Sequence, residues 1–322
     1  MKKLALMALA FLGLSMLPGL ACESFAAYPE KEIRLIVPYK AGGQSDLTAR
    51  KLAEIIQAKK LLPQPVLVVN IPGANTQEGL RNVLRSKPDG YTLLLHHSAF
   101  VTMKELGQIS MSFRDFKMVG QALVMGNSLV VNSDSPFKDM SSFVKAVKEK
   151  PGQYKVAIPG IGGVAHLAML DVLNRLQILD KVEIIPFDGA NEAITALMSK
   201  RCDMRTATNS DMARFVRSGE QRPLMIIGNE ALPGIDAPQY AKDLGIETPL
   251  VLRNGVFAPK KTADEHLDVF AAAMKAAVES PEFQDFAAKQ AAAGVFLDSA
   301  EWAKAYASDE VTVRDLVSAL KK

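Results

Sequence analysis

Short apolar runs alternate with helical patterns along this chain, and they do so in two separate blocks. In the first block IRLIVP (33–38), PVLVVN (65–70), YTLLLH (91–96) and FKMVGQALV (116–124) read as strands, with helices predicted over about 46–60, 77–86 and 99–106. Strands that are apolar throughout are buried on both faces, so the pattern predicts a mostly parallel sheet flanked by helices. The second block repeats the theme with SLVVNSDSPF (128–137), YKVAI (154–158), VEIIPF (182–187), DMRTAT (203–208) and PLMIIG (223–228). Helices are predicted between these strands, over 141–149, from 164 to about 176, over 191–200 and over 210–217. A Pro- and Gly-rich connector follows at 232–238, and the strand NGVFAP (254–259) is expected to return to the first sheet. Beyond it only helices are predicted, over 263–279, 281–292 and 299–320. The reading is therefore an α/β chain of two lobes, 27–125 plus 254–322 and 126–253. The chain crosses between them twice, near 125–128 and 250–256, as a hinge would require.

Each block holds one glycine corner between a strand and a helix. The first is Tyr39-Lys40-Ala41-Gly42-Gly43-Gln44-Ser45-Asp46, and the second is Pro159-Gly160-Ile161-Gly162-Gly163. Glycine lets the backbone turn tightly and expose its N–H groups, and the helix end behind it is positive, which together make an anion site. Ser45 or Asp46 is placed to cap the first helix. Asp46 either turns towards its own helix amides or takes an ammonium group of a ligand, and Lys40 either adds positive charge or is merely solvated. The second corner formally fits the dinucleotide fingerprint G-x-G-x-x-A, with Asp180 twenty residues beyond Gly160. It lies mid-chain rather than in a first strand–helix–strand unit, and only the shared feature, open amides at a helix start, is carried forward. His166 in that helix is read as structural.

Other chemistries lack their residues. There is no G-x-S-x-G elbow, and His96, His97, His166 and His266 have no metal-ligand spacing. His96 and His97, adjacent on one strand, are expected on opposite faces. No cofactor and no metal are expected. Lys2-Lys3, an apolar stretch from Leu4 to Leu17 and Ser24-Phe25-Ala26 read as an export signal over 1–26, cleaved after Ala26, with lipidation at Cys22 as the competing reading. The whole chain carries a net charge of +3, and removal of Lys2, Lys3 and Glu23 leaves 36 − 34 = +2. So mild and dispersed a charge excludes a nucleic-acid binder. Cys202, then the sole cysteine, is read as a buried structural thiol. A soluble, exported, monomeric protein is the expectation.

Five segments fall in a telling order: YPEKEIRLIVPYKAGGQSDLTAR (28–50), NIPGAN (70–75), PDGYTLLL (88–95), the glycine and HLA element (159–168) and PF-x-GAN-x-A (186–193). Together they resemble the extracytoplasmic solute receptors of tripartite tricarboxylate transporters, the Bug-type receptors, over nearly all of the chain from Tyr28. The resemblance implies a two-lobed periplasmic binding protein of type II topology, without catalysis. Such a protein clamps a small organic carboxylate between its lobes and delivers it to a membrane permease. It places Tyr39, Ala41, Gly42, Gly43, Gln44, Ser45 and Asp46 at the ligand from one lobe, and Pro159, Gly160, Ile161, Gly162 and Gly163 from the other. Ser98 matches a ligand-facing position after the third strand, and Gly189 and Asp203 match positions on the second lobe's side of the cleft.

The sequence departs from the family pattern at Phe187-Asp188-Gly189, at Lys200-Arg201-Cys202-Asp203 and at Thr206 and Thr208. A hydroxyl-rich wall in the second lobe would suit a more polar or differently shaped ligand. An exported enzyme acting on a small acid and a receptor domain serving a signalling system remain the alternative functions.

Overall fold

The computed structural model describes residues 28–187, 189–228, 232, 234–247 and 250–320; the expected export signal over 1–26 and Asp188 lie outside them. The first sheet begins with β1 (Ile33–Val37), β2 (Val66–Asn70) and β3 (Thr92–His97), which run parallel, with β1 in the middle. Helices α1 (Gln44–Ala58), α2 (Gln77–Leu84) and α3 (Ala99–Glu105) leave the ends of these three strands. The sheet is completed by β4 (Phe116–Met125), β10 (Leu252–Pro259) and β11 (Ala293–Asp298), in the order β11-β4-β10-β3-β1-β2.

The second sheet holds β5 (Asn127–Asn132), β6 (Tyr154–Pro159), β7 (Val182–Phe187), β8 (Met204–Thr208) and β9 (Gln221–Ile227), ordered β7-β6-β8-β5-β9. Its helices are α4 (Met140–Glu149), α5 (Val164–Arg175), α6 (Ala190–Met198) and α7 (Asn209–Arg217). After β10 come α8 (Asp264–Val278), α9 (Pro281–Lys289) and α10 (Ser299–Leu320).

Both sheets are mixed, a parallel part joined to an antiparallel one. Apart from β11, the strands that run against the parallel set, β5 and β10, are those by which the chain enters a sheet after crossing. β4 runs beside β10 in the opposite sense, and β5 opposes both β8 and β9. A chain leaving one sheet at the carboxyl ends of its parallel strands enters the next at the same edge, so the entering strand must run away from that edge. The crossing itself is a single residue, Gly126, between Met125 and Asn127. A Cβ on Gly126 would lie 2.5 Å from the carbonyl oxygen of Ile227, and one on Gly228 would lie 3.6 Å from the Cα of Gly126. The outgoing strand is thus pressed against the end of β9, where the return path begins.

Two findings differ from the sequence reading beyond β10. Residues 293–298 form β11, where only helices are predicted: Ala291 turns left-handed (φ +49°), which stops α9, and the β-prone Gly-Val-Phe-Leu run then pairs with β4. Moreover α10 is not confined to the first sheet. It touches α3, β4 and β11 and also α5 on the second sheet, and its Val313, Leu316 and Val317 join a core shared with Leu167 and Leu170. The opposite face of the first sheet is covered by α1, α8 and α9, around Ile33, Leu35, Val37, Phe270 and Phe283.

Candidate functional site

The two glycine corners have the same construction. Gly42 is left-handed (φ +83°), Gly43 is extended (φ −76°, ψ 166°) and α1 starts at Gln44. In the second corner Gly162 is left-handed (φ +82°), Gly163 is extended (φ −69°, ψ 162°) and α5 starts at Val164. A left-handed residue with no Cβ is what each turn demands. The helix caps are therefore Gly43 and Gly163, and neither Ser45 nor Asp46 caps α1: both already lie inside its first turn, because the glycine supplies the extended cap.

Asp46 reaches back instead. Its Oδ2 accepts the Gly42 N–H at 2.8 Å and Arg50 Nε at 3.0 Å, while its Oδ1 accepts Asn70 Nδ2 at 2.9 Å. Burial pushes its pKa up, but the hydrogen bonds from Arg50, Gly42 and Asn70 overcome that and hold the carboxyl below the usual carboxylate range. A carboxylate with three partners, already paired with Arg50, is a brace for the bend rather than a seat for a ligand ammonium. In the second corner His166 fills the same role, its Nδ1 accepting the Gly162 N–H at 2.9 Å. Burial lowers the His166 pKa to about 4, so the ring is a neutral acceptor at pH 7. Its structural reading agrees with this geometry.

These bonds sort the amides of the bends. Those of Gly42 and Gly162 are engaged by the braces, and that of Gly160 donates to the Phe187 carbonyl at 2.8 Å. The amides of Gly43, Gln44 and Ser45, and of Gly163, Val164 and Ala165, belong to the opening turns, where a helix has no acceptors of its own. Tyr39 and Ala41 complete the first bend. The Gln44 side chain joins Thr48 and Asn254, and Ser45 Oγ donates to Asn254 Oδ1 at 3.2 Å, tying α1 to the start of β10.

Both bends stand at the edge of their sheet where the chain crosses. The second bend reaches over to the first lobe, since a Cβ on Gly162 would lie 2.5 Å from Leu106 Cδ1, at the end of α3. Gly189, the cap of α6, lies at the same edge, because Phe187 is paired with Pro159. Asp203 does not join them. It is level with Lys155, whose N–H it accepts at 2.8 Å, five residues before Gly160 and ~16 Å away at ~3.3 Å per strand residue. Ser98 is buried, and its hydroxyl is committed: it donates to the Val251 carbonyl (2.9 Å) and accepts the Arg253 N–H (3.1 Å), pinning the returning strand. The Thr206 hydroxyl donates to the Ala165 carbonyl (3.3 Å), and the Thr208 hydroxyl caps α7 and lies 3.2 Å from that of Ser210.

The two histidines of β3 are neighbours rather than strangers. Their rings lie 5.3 Å apart, and Tyr39 stacks on His97 at 4.9 Å and 10°. Strand alternation ends at His97, since Ser98 is already helical (φ −63°, ψ −7°), so the last ring swings back towards its neighbour. Burial lowers His96 to about 4, and burial together with His96 lowers His97 well below its ordinary value. Asn70, Asn254 and the Arg253–Asp309 pair (3.1 Å) were not singled out in the sequence. The visible signal was a polar Asn or Arg placed at the end of an otherwise apolar strand.

Residues 48–320 match the sequence profile of the tripartite tricarboxylate transporter family receptor. The chain belongs to that family. Its members are transporter receptors rather than enzymes. Among relatives, the "UPF0065 protein in gbd 5'region" of Cupriavidus necator is 28% identical over 298 residues, 92% of this chain and 89% of that protein. A TctC solute-binding protein from Polaromonas, solved without ligand, superposes with a TM-score of 0.81 at 26% identity, covering 91% of this chain and 99% of that one. MatC from Rhodopseudomonas palustris with bound malate shares the fold, with a TM-score of 0.65 at 24% identity over 90% of this chain and 100% of that one. This family receptor thus has the two-sheet α/β build of periplasmic binding proteins. Among its described residues no helix is long and apolar enough to cross a membrane.

Proposed function

We propose that this family receptor captures a small organic carboxylate between two lobes and passes it to a permease of the tripartite tricarboxylate type. The observation that carries the reading is the matched pair of braced glycine bends, one on each sheet at the crossing edge, with Gly162 seated against Leu106. Lobe 1 comprises 27–125 plus 254–322, and lobe 2 comprises 126–253. The carboxylate docks on the Gly43, Gln44 and Ser45 amides, and a second polar group, in a ligand that carries one, docks on those of Gly163, Val164 and Ala165. Two helix ends supply the positive potential and the charge-assisted hydrogen bonds that a desolvated anion needs. A ligand touching both lobes binds the closed arrangement selectively and so shifts the equilibrium towards it. Malate in the MatC neighbour is a guest of the chemistry this requires. The protein works in the periplasm as a monomer after cleavage of its export signal.

Thermal-shift screening of the chain from Ala27 against mono-, di- and tricarboxylates tests the reading. A ligand present at 100 times its Kd stabilises the native state by about 2.7 kcal/mol. A panel in which no carboxylate raises the melting temperature overturns it.

A further inference from the structure

We infer that the guest is an acid with a hydrophobic body, an aromatic or medium-length aliphatic carboxylate, rather than a hydroxylated di- or tricarboxylate. The inference rests on the receptor reading above and concerns what surrounds the amides. Ile161 forms the tip of the second bend, between two left-handed glycines, and at 68% exposure is the most exposed large hydrophobic side chain among the described residues. Its neighbour Gly162 touches Leu106 of the other lobe, so this apolar tip stands where the lobes meet. On the first lobe the bend opens with Tyr39, whose ring lies parallel to that of the partly buried His97.

The hydroxyls in the same region are largely spent, while the buried Asn127 Nδ2 at the start of β5 is left without a hydrogen-bond partner. The Thr206 and Thr208 hydroxyls serve Ala165 and Asp211, and the Ser98 hydroxyl serves β10. Among the residues of the two bends Lys40 is the only cation, and the nearby guanidinium groups of Arg50 and Arg253 are tied to Asp46 and Asp309. Three carboxylates enclosed together would each need charged or multiple partners. One carboxylate at a helix end needs only the amides already there, and an apolar body gains by covering Ile161 and Leu106. His97 adds one neutral donor: its Nδ1 accepts the Ala99 N–H at 3.2 Å, which leaves the ring proton on Nε2.

Titration calorimetry with benzoate, adipate, malate and citrate tests this on the chain from Ala27 and on Ile161→Ser. Benzoate or adipate is expected to bind at least tenfold more tightly than malate and citrate. Ile161→Ser, at an exposed position, is expected to keep the melting temperature of the free protein and to weaken the apolar acids about tenfold more than it weakens malate and citrate. Preference for malate or citrate, or unchanged affinities in the variant, overturns the inference and leaves the receptor reading standing. If none of the four binds, the inference falls, and the wider screen decides separately on the receptor reading.

Discussion

Asp46 and His166 hold the same station in the two halves of the molecule. Each is the third residue of its helix, and each accepts the amide hydrogen of the glycine four residues earlier, at 2.8 and 2.9 Å. One brace is a carboxylate kept ionised by Arg50 and Asn70, and the other is an imidazole kept neutral by burial. Acid therefore attacks both.

His166 gives the pH dependence. Its folded pKa of about 4 lies below the ordinary 6.5, so the unfolded chain binds the extra proton, and stability present above pH 6.5 is lost as pH falls towards 4. At pH 5 linkage removes about 2 kcal/mol for a group so shifted. His96, also lowered to about 4, adds a similar loss, and Asp309, raised to about 6, works in the opposite direction. Urea denaturation at pH 7.5 and 5.0 should show a net loss. In His166→Asn, which retains an acceptor near the Nδ1 position, the loss should be smaller by about 2 kcal/mol. An unchanged pH slope in that variant would show that His166 is not held neutral.

The two cap-side glycines separate steric access from backbone strain. Gly43 is extended at φ −76°, and a Cβ there meets only the Lys40 carbonyl, at 3.5 Å, so Gly43→Val folds without strain. Its branched side chain stands over the open amides, and carboxylate affinity should fall at least tenfold, with no more than about 1 kcal/mol of stability lost to the poorer cap residue. Gly162→Val adds a left-handed backbone and the Leu106 clash, and should lose about 1–3 kcal/mol of stability as well. Calorimetry paired with thermal melts distinguishes the two variants. Normal binding by both would remove the bends from the site.

Much of this was legible because continuous apolar strands, glycine corners and the crossing points are local signals. IRLIVP ending in a glycine pair could only lead a strand into a helix start. What escaped the sequence was non-local. Nothing in Asp46 says that its partners are Asn70, twenty-four residues away, and the N–H of Gly42. The Ser98 hydroxyl matched a ligand position, yet the returning strand claims it from 153 and 155 residues away. Asp203 was placed by family pattern, and only the register of β8 against β6 shows it at the far end of the strand. β11 hid inside an alanine-rich stretch whose helical propensity the sheet edge overrode.

Gly126 should tolerate no side chain. In Gly126→Ala the new methyl would stand 2.5 Å from the Ile227 carbonyl oxygen and 3.0 Å from Asn209 Nδ2, forcing the strands apart at the crossing. A loss of about 1–3 kcal/mol is expected from the overpacking. The displaced crossing should also alter the radius of gyration of the free protein in small-angle scattering. Gly228→Ala, whose methyl would meet Gly126 Cα at an ordinary 3.6 Å, serves as the control and should change little.

Arg253 and Asp309 make the last case, because the pair ties the returning strand to the helix that touches both sheets. Arg253 Nε lies 3.1 Å from Asp309 Oδ2, with both side chains largely buried. Burial raises the Asp309 pKa to about 6, against the pull of Arg253. A raised carboxyl binds its proton in the folded state first, so its contribution to stability grows as pH falls from 6 towards the ordinary 3.8. Arg253→Met leaves that carboxylate buried without its cation, which costs about 3–5 kcal/mol at pH 7.5. The cost must shrink as acid protonates Asp309, so the gap between wild type and variant should narrow by at least half between pH 7.5 and 5.0. Arg253→Met/Asp309→Asn removes both charges, so only wild type titrates at this pair, and the gap should widen by about 1.4 kcal/mol between pH 7.5 and 5.0, the opposite trend to the single variant. A single-variant gap that stays constant across that range would mean that Arg253 acts through packing alone, and the buried charge would then have no part in holding α10 to β10.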